Sequence, residues 1–310
     1  MSKENDIAIV SLRSRYEKLK QMGIVKGAIM QINPCCLGLN CTGFLRLGVK
    51  QEKIKEVREF LEKEPYILST WNRLQEINVG AFFAMPDLQY YNTVKDRLKS
   101  HPHIEALKPL IYVGFLSGDH PENLIIRTGI TVEKEDAKIS DGTSSNSSNK
   151  TFVETPELQE MNPIDRNIAK MLSGDARTSF RTISKELKVS TTNVINRYEK
   201  LRKKKMFLRS TIAIDLRKLG YKGRVMIYFN IKPGTNIPEL QEKLLSIPNL
   251  IVLVKTIGET DMLAISLIAT LEEYFKLKAT LSKINEMEVV EVNITSTIIP
   301  WPHNIFAPIL

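Results

Sequence analysis

The sequence predicts an α+β protein in which one basic three-helix unit is joined to two copies of a βαββαβ module. Three observations carry that prediction. Residues 161–209 hold three short amphipathic helical patterns in succession and end in the run Arg202-Lys203-Lys204-Lys205. Charge is concentrated in the same place: residues 160–210 contain 13 Lys/Arg against 5 Asp/Glu, a net +8 of the whole chain's +9. The chain also repeats itself, because Arg15-Tyr16-Glu17-Lys18-Leu19-Lys20 returns 182 residues later as Arg197-Tyr198-Glu199-Lys200-Leu201-Arg202.

The three helices follow from spacing and punctuation. Ile164, Ile168, Met171 and Leu172 recur at helical intervals, and Pro163 suits a first-turn position, where its missing N–H has no intrahelical partner to lose. Ser173-Gly174-Asp175 supplies the stop. A second helix opens at Thr178 or Ser179 and turns Phe180, Ile183 and Leu187 inward. The third is capped by Ser190 or Thr191 and buries Val194, Tyr198 and Leu201. Its opposite face carries Thr192, Asn193, Asn196, Arg197 and Lys200, the side-chain types that reach base edges and phosphates from a helix lying in the major groove. A lone helix of this kind is an ordinary amphipathic helix with a solvated face. Three together, closing in Lys203, Lys204 and Lys205, read as a winged helix-turn-helix for double-stranded DNA, with Ser190 and Thr191 at the reading end.

Composition sets the outer limits. A chain of 310 residues with 43% hydrophobic content can bury two or three cores. No apolar run approaches the roughly 20 residues that span a bilayer, and no signal-peptide pattern opens the chain, so no membrane partner and a cytoplasmic, nucleoid-associated location are expected. Cys35, Cys36 and Cys41 crowd one stretch, a poor disulfide framework that lacks a fourth metal ligand; they read as inert thiols in a reducing interior. There is no Gly-rich phosphate loop, paired-His metal spacing or nucleophile elbow, and no cofactor is expected.

The repeat organises the remainder. The same offset of 182 aligns Ile32-Asn33 with Ile214-Asp215 and Leu37-Gly38 with Leu219-Gly220. By that alignment the chain opens inside the second helix of a first head, leaving a third-helix equivalent at residues 7–22 and a wing. This is read as a genuine remnant rather than the product of an upstream start site. Leu12, Tyr16 and Leu19 form an apolar stripe that needs a partner, and an isolated helix of about 15 residues is marginal in water. Despite Arg13, Arg15 and Lys18, that helix is not assigned to DNA, since nothing in the sequence holds it at a groove. In the first half, strands at residues 41–49, 66–74, 78–85 and 107–116 alternate with helices at 52–63 and 88–98. The second half repeats this with strands at 224–231, 250–256, 262–268 and 289–298 and helices at 238–245 and 271–284. In its last strand Val290, Val292 and Ile294 are expected on one face and Glu291, Asn293 and Thr295 on the other. The order βαββαβ is the ferredoxin-like module, whose open sheet face needs a second sheet to cover it.

The predicted divisions are a winged-helix remnant at 1–36, a first module at 37–117, a Ser/Asn-rich flexible linker at 118–159, the head and a connecting strand at 160–221, and a second module with a tail at 222–310. The residues Ile164-Asp165-Arg166, Ile168, Asp175-Ala176-Arg177, Leu187-Lys188-Val189-Ser190, Val194, Arg197, Ala213-Ile214-Asp215 and Leu219-Gly220, followed by Gly258-Glu259-Thr260-Asp261, together resemble the Lrp/AsnC family of transcriptional regulators. The resemblance implies two AsnC-type ligand-binding modules, homo-oligomers formed through paired sheets, and a small effector such as an amino acid held by Thr256, Gly258, Glu259, Thr260 and Asp261. Gly258 and Asp261 have an equally good reading as a tight hairpin whose Asp satisfies backbone N–H groups. The first copy carries Gln75-Glu76-Ile77-Asn78 at that place, which puts an effector pocket there in doubt. Two tethered modules pairing within one chain would make a pseudo-dimer with one intact head, and a palindromic site would then need two chains.

Two other functions compete. Siroheme decarboxylases resemble this architecture, and such an enzyme would bring His and Arg to a cleft. His101, His103, His120 and His303 stand outside both central hairpins, and Trp301 reads as a packed tail residue. The other is an effector-sensing assembly partner of full-length relatives, with no DNA affinity of its own.

Overall fold

The computed structural model describes residues 9–73, 76–117, 161–296, 300–303, 305, 306, 309 and 310. The expected linker at 118–159, with His120, lies outside the described residues. Two strands on a two-stranded ribbon join the copies: β1 (Val25–Ile32), which follows α1 (Ile9–Gln21), pairs antiparallel with β6 (Phe207–Ile214). Each is followed by a short 3-10 turn, Pro34–Leu37 in the first copy and Leu216–Leu219 in the second. Asn33 and Asp215 cap those turns by accepting the N–H of Cys35 and Arg217. Hydrogen bonding from Arg217 holds the Asp215 carboxyl down at about 2.

The first module contains β2 (Cys41–Val49), α2 (Ile54–Glu62), β3 (Ile67–Asn72), β4 (Val79–Met85), α3 (Leu88–Lys99) and β5 (Ile104–Ser117). The second contains β7 (Gly223–Ile231), α7 (Ile237–Leu245), β8 (Leu250–Gly258), β9 (Met262–Ile268), α8 (Leu271–Leu281) and β10 (Met287–Ser296). Alternation along the strands serves two cores at once. Leu45, Leu47, Ala81 and Phe83 pack on Val57, Leu61, Val94 and Leu98 of α2 and α3. In the second copy Ile227, Phe229, Leu253 and Ala264 pack on Leu240, Leu244, Leu277 and Leu281 of α7 and α8. The intervening residues, Phe44, Phe82 and Leu110 from one module and Tyr228, Val254, Leu263 and Ile265 from the other, share a third core.

The open sheet faces therefore cover each other within one chain, so the surfaces expected to join separate chains are already buried. The strands run in one eight-stranded order, β10-β7-β9-β8-β5-β2-β4-β3, with β5 and β8 hydrogen-bonded across the join. That pairing is why β8 reaches Gly258, two residues beyond its expected end: Leu110 faces Gly258, and a Cβ there would lie 2.5 Å from the Pro109 carbonyl oxygen. Alternation in β10 needs one correction. A bulge between Val289 and Glu291 shifts its register, so Val290 is 52% exposed while Val292 and Ile294 pack inward.

Glu291 faces the inter-module seam. It accepts from Arg46 Nη1 at 2.7 Å and pairs with Arg73, whereas Arg46 Nη2 bonds Glu259 at 2.9 Å. Arg46 is 1% exposed and lies 4.4 Å above the Tyr228 ring. Lys108 approaches Glu259 from a more open position. Arg46→Ala leaves Glu291 paired with Arg73 and Glu259 with Lys108, so it strands no carboxylate and removes the charged hydrogen bonds and the packing on Tyr228, a loss of about 1.5–3 kcal/mol; an exposed pair contributes at most about 1 kcal/mol. Urea denaturation should therefore show Arg46→Ala destabilised by roughly 1.5–3 kcal/mol and Lys108→Ala by no more than about 1 kcal/mol.

Candidate nucleic-acid interface

The head is α4 (Pro163–Gly174), α5 (Phe180–Leu187) and α6 (Thr191–Lys203), followed by β6. Each helix starts where the sequence supplies an oxygen cap. Asn162 accepts from Ile164 N, Ser179 from Thr182 N and Ser190 from Asn193 N. Lys188 ends α5 in the left-handed region at φ 54°. Ile168, Leu172, Ile183, Val194, Leu201 and Met206 fill the core, and Phe180 and Phe207 flank Tyr198.

This core is not closed by the head alone. Met30 and Ile32 of β1 and the terminal Leu310 belong to it, and Ala176 N donates to Ala28 O at 3.0 Å. Asn33 donates its side-chain amide to Lys205 O, and Cys36 Sγ reaches Lys204 O. Burial pushes the Cys36 and Cys41 thiols up to about 11 and raises Cys35 as well, consistent with packing roles rather than reactive ones.

The outward face of α6 forms an open depression of about 470 Å³ lined by Ser190, Thr192, Asn193, Asn196, Arg197 and Lys200. The expected residues are thus brought together, but in different states. Ser190 spends its hydroxyl on the cap, and Thr191 hydrogen-bonds Ser184 across the turn at 3.1 Å. Arg197 is part of a strut: Nη1 bonds the Asp165 carboxylate at 2.8 Å and Nε bonds Asn193 Oδ1 at 2.8 Å. With that oxygen already accepting from Arg197, Asn193 is less free to offer both amide atoms to a base edge. Thr192, Asn196 and Lys200 are exposed. Lys203, the last residue of α6, and Lys204 and Lys205 beyond it are exposed, Lys205 at φ 58°. The Asp165 contact was not legible from α6 alone, because its carboxylate comes from a different helix; helical spacing gave no sign of it.

The hairpin between β8 and β9 is closed largely by its own groups. Thr256 Oγ1 donates to Thr260 O, and Asp261 Oδ2 accepts from Ile231 N. Gly258 adopts φ 146° at the close approach to β5, and Glu259 serves the seam. Thr260 Oγ1 is buried with no hydrogen-bond partner among the described residues, as are both amide atoms of Asn293 on β10. His101 lies tilted against Phe60 and edge-on to His103, His103 faces Glu56, and Trp301 packs on the inter-sheet core.

Comparison with known proteins matches residues 161–202 to the AsnC-type helix-turn-helix domain. The chain is 32% identical over 116 residues to the HTH-type transcriptional regulator Ptr1 of Methanocaldococcus jannaschii, spanning 37% of this chain and 78% of that one. It is 34% identical over 101 residues to LysM of Saccharolobus solfataricus, 33% of this chain and 69% of that regulator. The siroheme decarboxylase NirDL superposes on 99% of this chain and 89% of its own with a TM-score of 0.62 at 15% identity, a likeness of fold.

Ser190 can be tested as a cap by substitution. Loss of a Ser cap costs about 1 kcal/mol. Thermal unfolding should therefore show Ser190→Ala destabilised by about that amount and Ser190→Asp close to the parent.

Proposed function

Because the chain belongs to the Lrp/AsnC family of transcriptional regulators, we propose that α6 is its DNA-reading helix and that the Lys-rich turn after it grips phosphate. The observation that carries this is the depression on α6, whose lining combines carboxamide, hydroxyl and cationic groups on a rigid, well-capped helix. Asn196 is the principal base reader, because its amide is exposed and it enters none of the bonds that occupy Asn193. Arg197 positions Asn193 and presents the rest of its guanidinium outward. Lys200, Lys203, Lys204 and Lys205 supply the sequence-independent attraction.

Binding of the full chain to the DNA it enriches from a random pool, and to unselected duplex, separates these roles. Lys203→Gln/Lys204→Gln/Lys205→Gln should weaken both alike and make the salt dependence shallower by about 3 in log–log slope. Asn196→Ala should cost about 1–3 kcal/mol on the enriched sequence and little on random DNA. Equal losses on both for Asn196→Ala would refute base reading there.

We propose further that a small effector such as an amino acid acts at the inter-module seam. Its support is the buried, unpartnered Thr260 hydroxyl and Asn293 amide, and the cationic Arg46 and Arg73 beside Glu291. The hairpin residues Thr256, Gly258, Glu259 and Asp261 then shape the seam more than they touch the ligand. Thermal shift against the amino acids should reveal a stabilising one whose effect is lost in Asn293→Leu. A response unchanged in that variant would move the effector elsewhere. A decarboxylase reading has the NirDL fold in its favour, but His101 and His103 pack on Phe60 and Glu56, away from the paired arginines. A stoichiometric change in the absorbance of siroheme on mixing, followed by its conversion, would favour that enzyme.

A further inference from the structure

The β1–β6 ribbon has a symmetry with consequences for α1. Its register pairs Gly27 with Ala213, Ala28 with Ile212, Ile29 with Thr211, Met30 with Ser210 and Gln31 with Arg209. Ile29 and Thr211 are also repeat equivalents at the 182-residue offset, so each faces its own counterpart. Flanking bonds are reciprocal under the same offset: Asn33 N donates to Met206 O at 2.9 Å, and Asp215 N donates to Ile24 O at 2.8 Å. An approximate two-fold axis therefore passes between Ile29 and Thr211, and the contact is isologous.

That axis carries α6 onto α1. The described part of α1, Ile9–Gln21, is Thr191–Lys203 shifted by the repeat offset. They leave through the same turn. Met22 N bonds Lys18 O at 2.9 Å where Lys204 N bonds Lys200 O at 3.1 Å, and Ile24 N bonds Leu19 O where Met206 N bonds Leu201 O, both at 3.0 Å. The left-handed residue of the turn is Gly23 in one copy and Lys205 in the other, at φ 70° and 58°. α1 is also held in place. Leu19 packs on the inter-sheet core, and Arg177, from the turn between α4 and α5, lies 4.0 Å above the Tyr16 ring.

The surfaces of the two helices differ in a patterned way. At the positions of Thr192, Asn193 and Asn196 stand Val10, Ser11 and Ser14, whereas Arg197, Lys200 and Arg202 correspond to Arg15, Lys18 and Lys20. The two carboxamides are gone, replaced by the short hydroxyls of Ser11 and Ser14 with no two-point pattern to offer, and the cations remain, exposed. We propose that α1 is a second, sequence-indifferent DNA contact, so that one chain bridges two successive half-sites, reading one through α6 and gripping only the phosphates of the other through Arg15, Lys18 and Lys20. Two-fold mates of this kind meet half-sites about 34 Å apart, one helical turn. The operator is then asymmetric: one half constrained in sequence, the other only in length. This rests on α6 as the reader.

The test uses the full chain and the sequence that it enriches from a random pool. That half-site is placed in a short duplex and in duplexes extended by about one turn of arbitrary sequence on either side. Extension on one side should tighten binding roughly ten-fold whatever its sequence. Arg15→Gln/Lys18→Gln/Lys20→Gln should abolish that gain and make the salt slope on the long duplex shallower by about 3, while leaving the short duplex bound as before. Hydroxyl-radical footprinting should lose the second protected patch. A triple variant indistinguishable from the parent on both duplexes would overturn the proposal, as would enrichment of a two-fold symmetric palindrome by a single chain. If Asn196→Ala leaves the short duplex unaffected, the α6 reading fails instead, whatever α1 does.

Discussion

The antiparallel pairing of β1 with β6 is the constraint on which the rest of the molecule depends. It joins strands 182 residues apart in sequence, and all that lies on either side is arranged about it. On one side Met30 and Ile32 enter the core of the head. On the other, Ile24, Leu216, Leu219 and Tyr221 enter the core between the two sheets. A ribbon of two strands is marginal by itself. Here it is stable because residues on its two faces and at its ends are buried in cores that neither copy completes alone.

The second join between the copies is built by different means at its two margins. At one, β5 and β8 continue the sheet through backbone hydrogen bonds. At the other, β3 and β10 are the terminal strands of the eight-stranded order, and the contact is made by side chains: Glu291 of β10 pairs with Arg73 and with Arg46, which reaches it from β2. An approximately two-fold chain need not make both margins alike, because the two copies differ in sequence. Charged side chains at a sheet edge also discourage its pairing with other strands. The ionic margin is the more adjustable of the two, since repositioning a guanidinium breaks no backbone ladder. That difference is the physical reason for looking there for a ligand-dependent change.

What could be read from the sequence divides along local and non-local lines. Helices and strands with clear periodicity, the caps to within a choice of two adjacent residues (Thr178 or Ser179, Ser190 or Thr191), and the repeat itself were legible because each depends on neighbours in the chain. So was the need of each open sheet face for a cover. Val290 was misplaced because a bulge adds a residue without leaving a mark in alternation. Arg197 looked like a free reader because its Asp165 partner lies 32 residues away on α4. The hairpin at Gly258 was legible as a turn, but its tight approach to Pro109 belongs to the other copy and has no local signature. Likewise α1 gave no sign of a place to stand, since its supports are a core assembled from both halves and an arginine from the head.

These supports also bear on how the head is controlled. Because β1 contributes to the head's core and the carbonyls of Lys204 and Lys205 are held by Cys36 and Asn33, α6 is fixed to the first copy and not only to its own module. A rearrangement at the inter-module seam, as proposed for an effector, would therefore reach α6 through packed strands, without requiring the head to swing on a tether. α1 stands on the same ribbon, so a twist of β1 against β6 changes the separation and tilt of both helices together. DNA binding by a two-fold pair is sensitive to that spacing, which must match the helical repeat. Under the two proposals, the economical route from seam to DNA is geometric: a small change in ribbon twist, with each helix and its contacts intact, would take the pair out of register with successive grooves.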